Sequence, residues 1–211
     1  MTVILASASP RRRELLRTAG IEFETISAHI DESRHGEETA EAYVRRLASE
    51  KAFSVAQACP TGRVVLAADT TVEINGEILG KPEGAEDAVR MLRLLSGATH
   101  RVLTGVCLVC APARLHALEV ETTAVTFRRL DEDEIQGYIA TGEPFDKAGA
   151  YGIQGLASKF VTRVEGCFFN VVGLPVARVY GLLKSLPGAL SGANGPNDAG
   201  QIGNRQIQYK V

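Results

Sequence analysis

The 211-residue chain has no tryptophan, two methionines and four cysteines, and aromatic residues make up only 6% of it. So few cysteines in a chain of this length argue against a disulfide framework. Cys107 and Cys110 form one C-x-x-C. They fall at the end of Leu103 to Val109, which reads as a buried strand, where side chains three apart point to opposite faces, so the thiols diverge rather than share a ligand. Cys59 and Cys167 lack a nearby Cys or His at ligand spacing, and His29, His35, His100 and His116 are scattered. That removes the usual zinc patterns and leaves any catalytic metal to oxygen ligands. No apolar run approaches the roughly 20 residues that cross a bilayer, and the amino terminus has no signal-peptide series, so no membrane contact and a cytosolic location are expected. Charge of one sign is also missing. With 23 Lys and Arg against 25 Asp and Glu, the formal charge is -2, too little positive field to hold a nucleic-acid backbone, so any anion site must be local.

What is present, 45% hydrophobic and 23% charged residues, suits one compact domain with a single good core. Val3 to Ala6 reads as a short buried strand. It leads through Ser7-Ala8-Ser9-Pro10 into a helix with Ser9 as N-cap, Pro10 in the first turn and Gly20 as the stop. Ile21 to Ser27 reads as a second strand, and Thr39 to Ala58 as a long amphipathic helix. Val64 to Ala68 is a continuous apolar run ending at Asp69, and Thr71 to Ile74 continues toward an Asn75-Gly76 turn and a return through Glu77 to Leu79. A helix over Ala85 to Leu95 precedes two long strands, His100 to Val109 and Leu118 to Phe127. Asp131 and Glu134 make a capping box. Phe160 to Val164 and Phe168 to Val172 read as a hairpin about Glu165-Gly166, and Pro175 opens a last helix to Leu186. The class is α/β or α+β with a mixed sheet. Residues 187–211, rich in Gly, Asn and Ser, are expected to lack order.

Four segments could carry chemistry. Ser7 to Arg13 sets hydroxyls, free N–H groups and guanidinium forks at a strand-to-helix junction, where the helix dipole favours an anion. The bland reading is an N-cap followed by solvated arginines. Asp69, with Thr70 and Thr71 behind it, is expected to emerge at a strand end, where open sheets place ligands; it suits Mg²⁺ ligation or proton abstraction as well as simple turn capping. Lys81 after Gly80, and Lys51 on the long helix, could reach a phosphate or merely face solvent. Asp146 to Gly155 combines three glycines with two charges and Gln154, whose amide both donates and accepts, as the edge of a base requires.

Taken in order, LASASPRRRELL, AADTTV, LGKP, LSGATHRVLTGV, DKAGAYGIQG and NVVGLP resemble the Maf family of nucleotide pyrophosphatases from residue 3 to about 186, so that residues 1–186 would form the domain. The resemblance implies a curved mixed sheet in two lobes around a cleft, similar to the inosine triphosphate pyrophosphatases, a divalent metal (Mg²⁺ or Mn²⁺) and a homodimer. It implies Asp69 as the essential acidic residue, acting as base or metal ligand, Glu32 as a second acidic residue at the metal, and Ser7, Arg12, Lys51 and Lys81 around the phosphates. Arg11, Thr70 and Gln154 resemble the branch acting on dTTP and UTP rather than the 7-methyl-GTP branch. The competing expectation is a nucleotide-sensing regulator of septum formation that binds without hydrolysis. A third, an inosine triphosphate pyrophosphatase, would prefer a deaminated purine.

Overall fold

A computed structural model describes residues 2–186; the tail expected to lack order lies outside them. Seven strands form one mixed sheet in the order β2-β1-β3-β5-β6-β7, with β4 on β3. Their ranges are β1 Val3–Leu5, β2 Phe23–Thr25, β3 Val64–Ile74, β4 Glu77–Leu79, β5 Thr99–Cys110, β6 Arg114–Phe127 and β7 Val161–Glu165. β1 runs parallel to both β2 and β3, and every other pairing is antiparallel. The helices are α1 Pro10–Thr18, α2 Ala40–Ala56, α3 Ala85–Leu95, α4 Glu132–Ala140, α5 Phe168–Val172 and α6 Val176–Lys184. The expected caps form: Ser9 accepts from Arg12 N, and Asp131 and Glu134 exchange both bonds of the capping box; Thr39 also caps α2, accepting from Ala42 N.

The two faces of the sheet bury different residues. Leu5, Leu66, Ala68, Val106 and Leu108 join the main core, with Leu15 and Leu16 of α1 and the apolar faces of α3, α4 and α6. Ile4, Val65, Ala67, Cys107 and Val109 pack under α2 against Ala48, Ala52 and Val55. Cys107 thus lies on one face while Cys110 packs on the other, as strand alternation requires. Burial pushes the Cys107 thiol up to about 12, which keeps it protonated and unreactive at neutral pH.

α2 lies unusually close to the sheet. A Cβ built on Gly105 of β5 would sit 2.2 Å from the carbonyl oxygen of Val44, so the helix backbone rests on the strand where there is no side chain. Gly105→Ala is expected to lower stability by about 2 kcal/mol, the cost of forcing a methyl into a packed contact, read from thermal or urea unfolding.

Two expectations are corrected here. Phe168 to Val172 is the short helix α5, not a return strand. The Asn170 amide donates to Val102 O and to Thr123 Oγ1, each at 3.0 Å, and Thr123 Oγ1 also exchanges bonds with the backbone of Cys167. These side-chain bonds pin the segment to β5 and β6 without a strand ladder. Phe168 and Phe169 remain exposed while Val172 joins the main core, so only the far end of the apolar run that suggested a strand is buried. Asp69, for its part, is not at the end of its strand: β3 continues five residues past it to Ile74.

Candidate active site

Asp69 is reachable because β3 lacks a neighbour along part of one edge. On that side β1 pairs only as far as Leu5 with Leu66, and the pairing with β4 reaches only to Leu79 with Val72, leaving Ala67 to Thr71 without a strand partner on that edge and Asp69 to Val72 lining a cleft. The strand end that matters is therefore that of β1, beside an uninterrupted β3. Ala6 to Arg12 continue from β1 along the cleft, which has a volume of about 840 Å³. Its far wall is built from the loop around Asp146 to Gly155 and from Val171 to Gly173.

Alternation along β3 turns Asp69 toward α2 and Thr70 toward α1. Lys51 lies two turns after Val44, in the buried stripe of α2 that also contains Leu47, Ala48 and Val55, so its ammonium is carried to the sheet. Lys51 Nζ is 2.6 Å from Asp69 Oδ1 and 2.6 Å from Glu32 Oε1. Tyr43, a further cleft residue on α2, donates to Glu32 O at 2.9 Å and holds that segment in place. Asp69 and Lys51 are each 8% exposed. Burial raises the Asp69 carboxyl above the ordinary carboxylate range, opposed by the positive charges of Lys51 and Arg12.

On the other side of β3, Arg12 is buried with all three guanidinium nitrogens engaged. Nε donates to Gly173 O at 2.8 Å, Nη1 to Ser7 Oγ at 3.2 Å and Nη2 to Thr70 Oγ1 at 3.0 Å. Burial lowers its pKa, opposed by Asp69, yet a guanidinium stays protonated at neutral pH. Thr70 Oγ1 also shares a 2.9 Å bond with Thr104 Oγ1, so its hydroxyl is occupied in bracing Arg12. Ser7 Oγ accepts from Ser9 N as well. Two cations and two carboxylates thus meet in one cleft.

The remaining expected residues line the same space. Arg11 Nη1 is 2.9 Å from Asp146 Oδ2 and its Nη2 is 3.2 Å from Asp146 O, bridging α1 to the far wall. Lys81 and Gln154 are exposed at the rim. Beneath the loop, His100 is 1% exposed, with Nε2 2.8 Å from Tyr151 Oη. Phe127 packs edge-on against both rings.

A model of the family described as Maf-like protein matches residues 2–186. The chain belongs to the Maf family. Among relatives, it is 52% identical over 184 residues to a dTTP/UTP pyrophosphatase of Koribacter versatilis, covering 87% of this chain and 94% of that protein. It is 54% identical to one from an Anaeromyxobacter species, covering 86% and 88%, and 50% identical to one from Escherichia coli, covering 87% and 92%. The solved structure of the Staphylococcus aureus Ham1 protein aligns with a TM-score of 0.49 and 14% identity over 86% of this chain and 99% of that one. The Maf match ends where the described residues end, and no described helix is long and apolar enough to cross a membrane.

Within this Maf chain, burial pushes His100 down from 6.5 to about 4, so it is neutral in the fold. The unfolded chain then binds the extra proton between those values. The stability that neutral His100 retains above pH 6.5 is therefore lost as pH falls toward 4, at up to about 1.4 kcal/mol per pH unit. Urea unfolding between pH 4 and 7, compared with His100→Gln, is expected to show a shallower acid slope in the variant.

Proposed function

We propose that this Maf-family chain hydrolyses dTTP and UTP, and modified pyrimidine relatives of them, to the monophosphate and pyrophosphate. The observation that carries the reading is the meeting of Asp69, Lys51, Glu32 and Arg12 in one cleft. Its support comes from relatives about half identical over nearly their whole length that bear the name dTTP/UTP pyrophosphatase. A surface evolved only for protein contact has no need of a buried acid among phosphate-seeking cations.

In this proposal Arg12, Lys51, Lys81 and Ser7 take the phosphate oxygens, and the amino-terminal end of α1 adds its dipole. Such charge neutralisation and positioning is most of what phosphoryl transfer requires of a protein. Asp69 holds water in line with the α-phosphorus and accepts its proton as the bond to the bridging oxygen breaks. Burial, by raising its pKa, makes it a stronger base than an exposed aspartate. Two carboxylates within reach of one ammonium are a donor set that fits Mg²⁺ or Mn²⁺, which commonly takes one or two protein carboxylates and completes its shell with phosphate and water. When bound, such an ion supplies charge to the leaving pyrophosphate and acidity to water, and Asp69 and Glu32 would hold it. At the base, Gln154 reads the mixed donor and acceptor edge of uracil or thymine, Arg11 flanks it, and Thr70 contributes through its hold on Arg12.

The proposal places a homodimer in the cytosol, and light scattering checks the dimer. The function is tested by pyrophosphate release from dTTP, UTP, CTP, 7-methyl-GTP and ITP with Mg²⁺ or Mn²⁺. Faster turnover of dTTP and UTP is expected. Preference for 7-methyl-GTP or ITP would overturn the substrate assignment, and nucleotide binding without turnover would favour the regulator.

A further inference from the structure

Gln154 projects from a loop with an unusual interior. Tyr138, at the end of α4, donates from Oη to Glu143 Oε1 at 2.8 Å and accepts from Gly152 N at 3.2 Å. The other carboxylate oxygen, Glu143 Oε2, accepts from Leu156 N at 3.0 Å. The backbone is thus tied to one acidic group through the Tyr138 hydroxyl two residues before Gln154, and directly two residues after it. Between the ties Ile153 turns into the main core and Gln154 turns out.

The glycines that flank Gln154 fit the same device. A Cβ on Gly155 would lie 2.3 Å from Glu143 Oε1, and one on Gly152 would lie 3.2 Å from that oxygen and 2.6 Å from Lys147 Cε. Gly155 has φ -104, which any residue can adopt, so glycine here makes room for a carboxylate rather than for a special backbone angle. Lys147 Nζ in turn donates to Glu143 O at 2.6 Å. The half-buried carboxylate is therefore a hub of the loop, and Glu143 itself stands among the residues that line the cleft.

We infer that Glu143, working through Tyr138 and the amides of Gly152 and Leu156, is the positioning residue for Gln154 and thereby sets selectivity for the pyrimidine base. The inference rests on the proposed base-reading role of Gln154. A preorganised loop spends no binding energy on ordering itself around the ligand, so loosening it weakens base recognition and leaves the phosphate chemistry in place.

The test compares dTTP with dCTP, which share sugar and phosphates, in the wild type, Glu143→Ala, Glu143→Gln, Gln154→Ala and the double variant Glu143→Ala/Gln154→Ala. Glu143→Ala is expected to raise KM for dTTP about tenfold with kcat changed less than about threefold, the signature of lost uniform binding. The dTTP to dCTP ratio of kcat/KM should fall by a similar factor. Glu143→Gln, which keeps one acceptor and the shape, should restore most of the ratio. In the Gln154→Ala background, Glu143→Ala should change the ratio less than about twofold, since a residue acting through another loses its effect when that other is gone. Equal losses on both nucleotides, or the same loss in both backgrounds, would overturn the inference. Amide exchange at Gly152 and Leu156 must also quicken in Glu143→Ala, and unchanged exchange overturns the tether whatever the substrate. If Glu143→Ala fails to fold, Tyr138→Phe, which removes one hydroxyl, takes its place in both assays. A wild type with no preference for dTTP would instead defeat the functional proposal on which the inference stands.

Discussion

Asp69→Asn is expected to lower kcat on dTTP by about a thousandfold or more, within the span attributed to a general base or a metal-bound water. Asn matches Asp in shape and can still accept from Lys51, and Glu32 remains 2.6 Å from the same ammonium. The buried cation therefore keeps a partner, and unfolding should shift by only about 1 kcal/mol. What the amide cannot do is take a proton or carry charge to an ion. The pH profile gives an independent reading. The active form is the carboxylate, so activity is lost as pH falls through the Asp69 pKa. Because burial holds that pKa up, the acid limb should lie above the usual carboxylate range and be missing from the residual activity of the variant. Full turnover in a folded Asp69→Asn protein would remove Asp69 from the mechanism.

Arg12→Lys should cost about a hundredfold in kcat/KM, although it preserves the charge. Arg12 presents a planar fork whose three nitrogens bond to Gly173 O, Ser7 Oγ and Thr70 Oγ1, and one ammonium on a flexible stem cannot reproduce three bonds in that plane. Buried acceptors left without a donor cost about 1–3 kcal/mol each, so the loss should appear in melting temperature as well as in phosphate binding. The kinetic part is isolated with inorganic pyrophosphate as a competitive inhibitor. Its affinity should fall with kcat/KM if Arg12 acts on the phosphates, and stay unchanged if the effect is confined to the base.

Most of the secondary structure was legible because local signals agreed with the tertiary ones: Pro10 in the first turn of α1, the Asp131 and Glu134 capping box, and the Asn75-Gly76 turn between β3 and β4. α5 was not, since its conformation depends on the Asn170 amide meeting Val102 and Thr123, residues far away in sequence. Asp69 was expected at the end of its own strand, but β3 runs on to Ile74 and the strand end beside it belongs to β1. A single sequence does not reveal where one strand stops beside another. Lys51 was legible in principle as the one charge in the buried stripe of α2. Glu143 was hidden because it stands between Gly142 and Pro144, where no helical or strand periodicity marks a residue. Its importance comes from two glycines 9 and 12 residues further on, which no periodicity connects to it.

The contact of α2 with Gly105 has a bearing on how this site tolerates change. Gly105 is the direct cross-strand partner of Asp69, and the Val44 carbonyl above it lies two turns from Lys51 on the same helix. The height of the ammonium above the carboxylate is therefore set by backbone against backbone, a hard stop that does not depend on which side chains fill the surrounding layer. Alanines and valines elsewhere under α2 can drift in size through sequence divergence while the Lys51 to Asp69 separation stays the same. The reactive geometry is insulated from the core that supports it, and the tolerance for that variation depends on one position that must remain glycine.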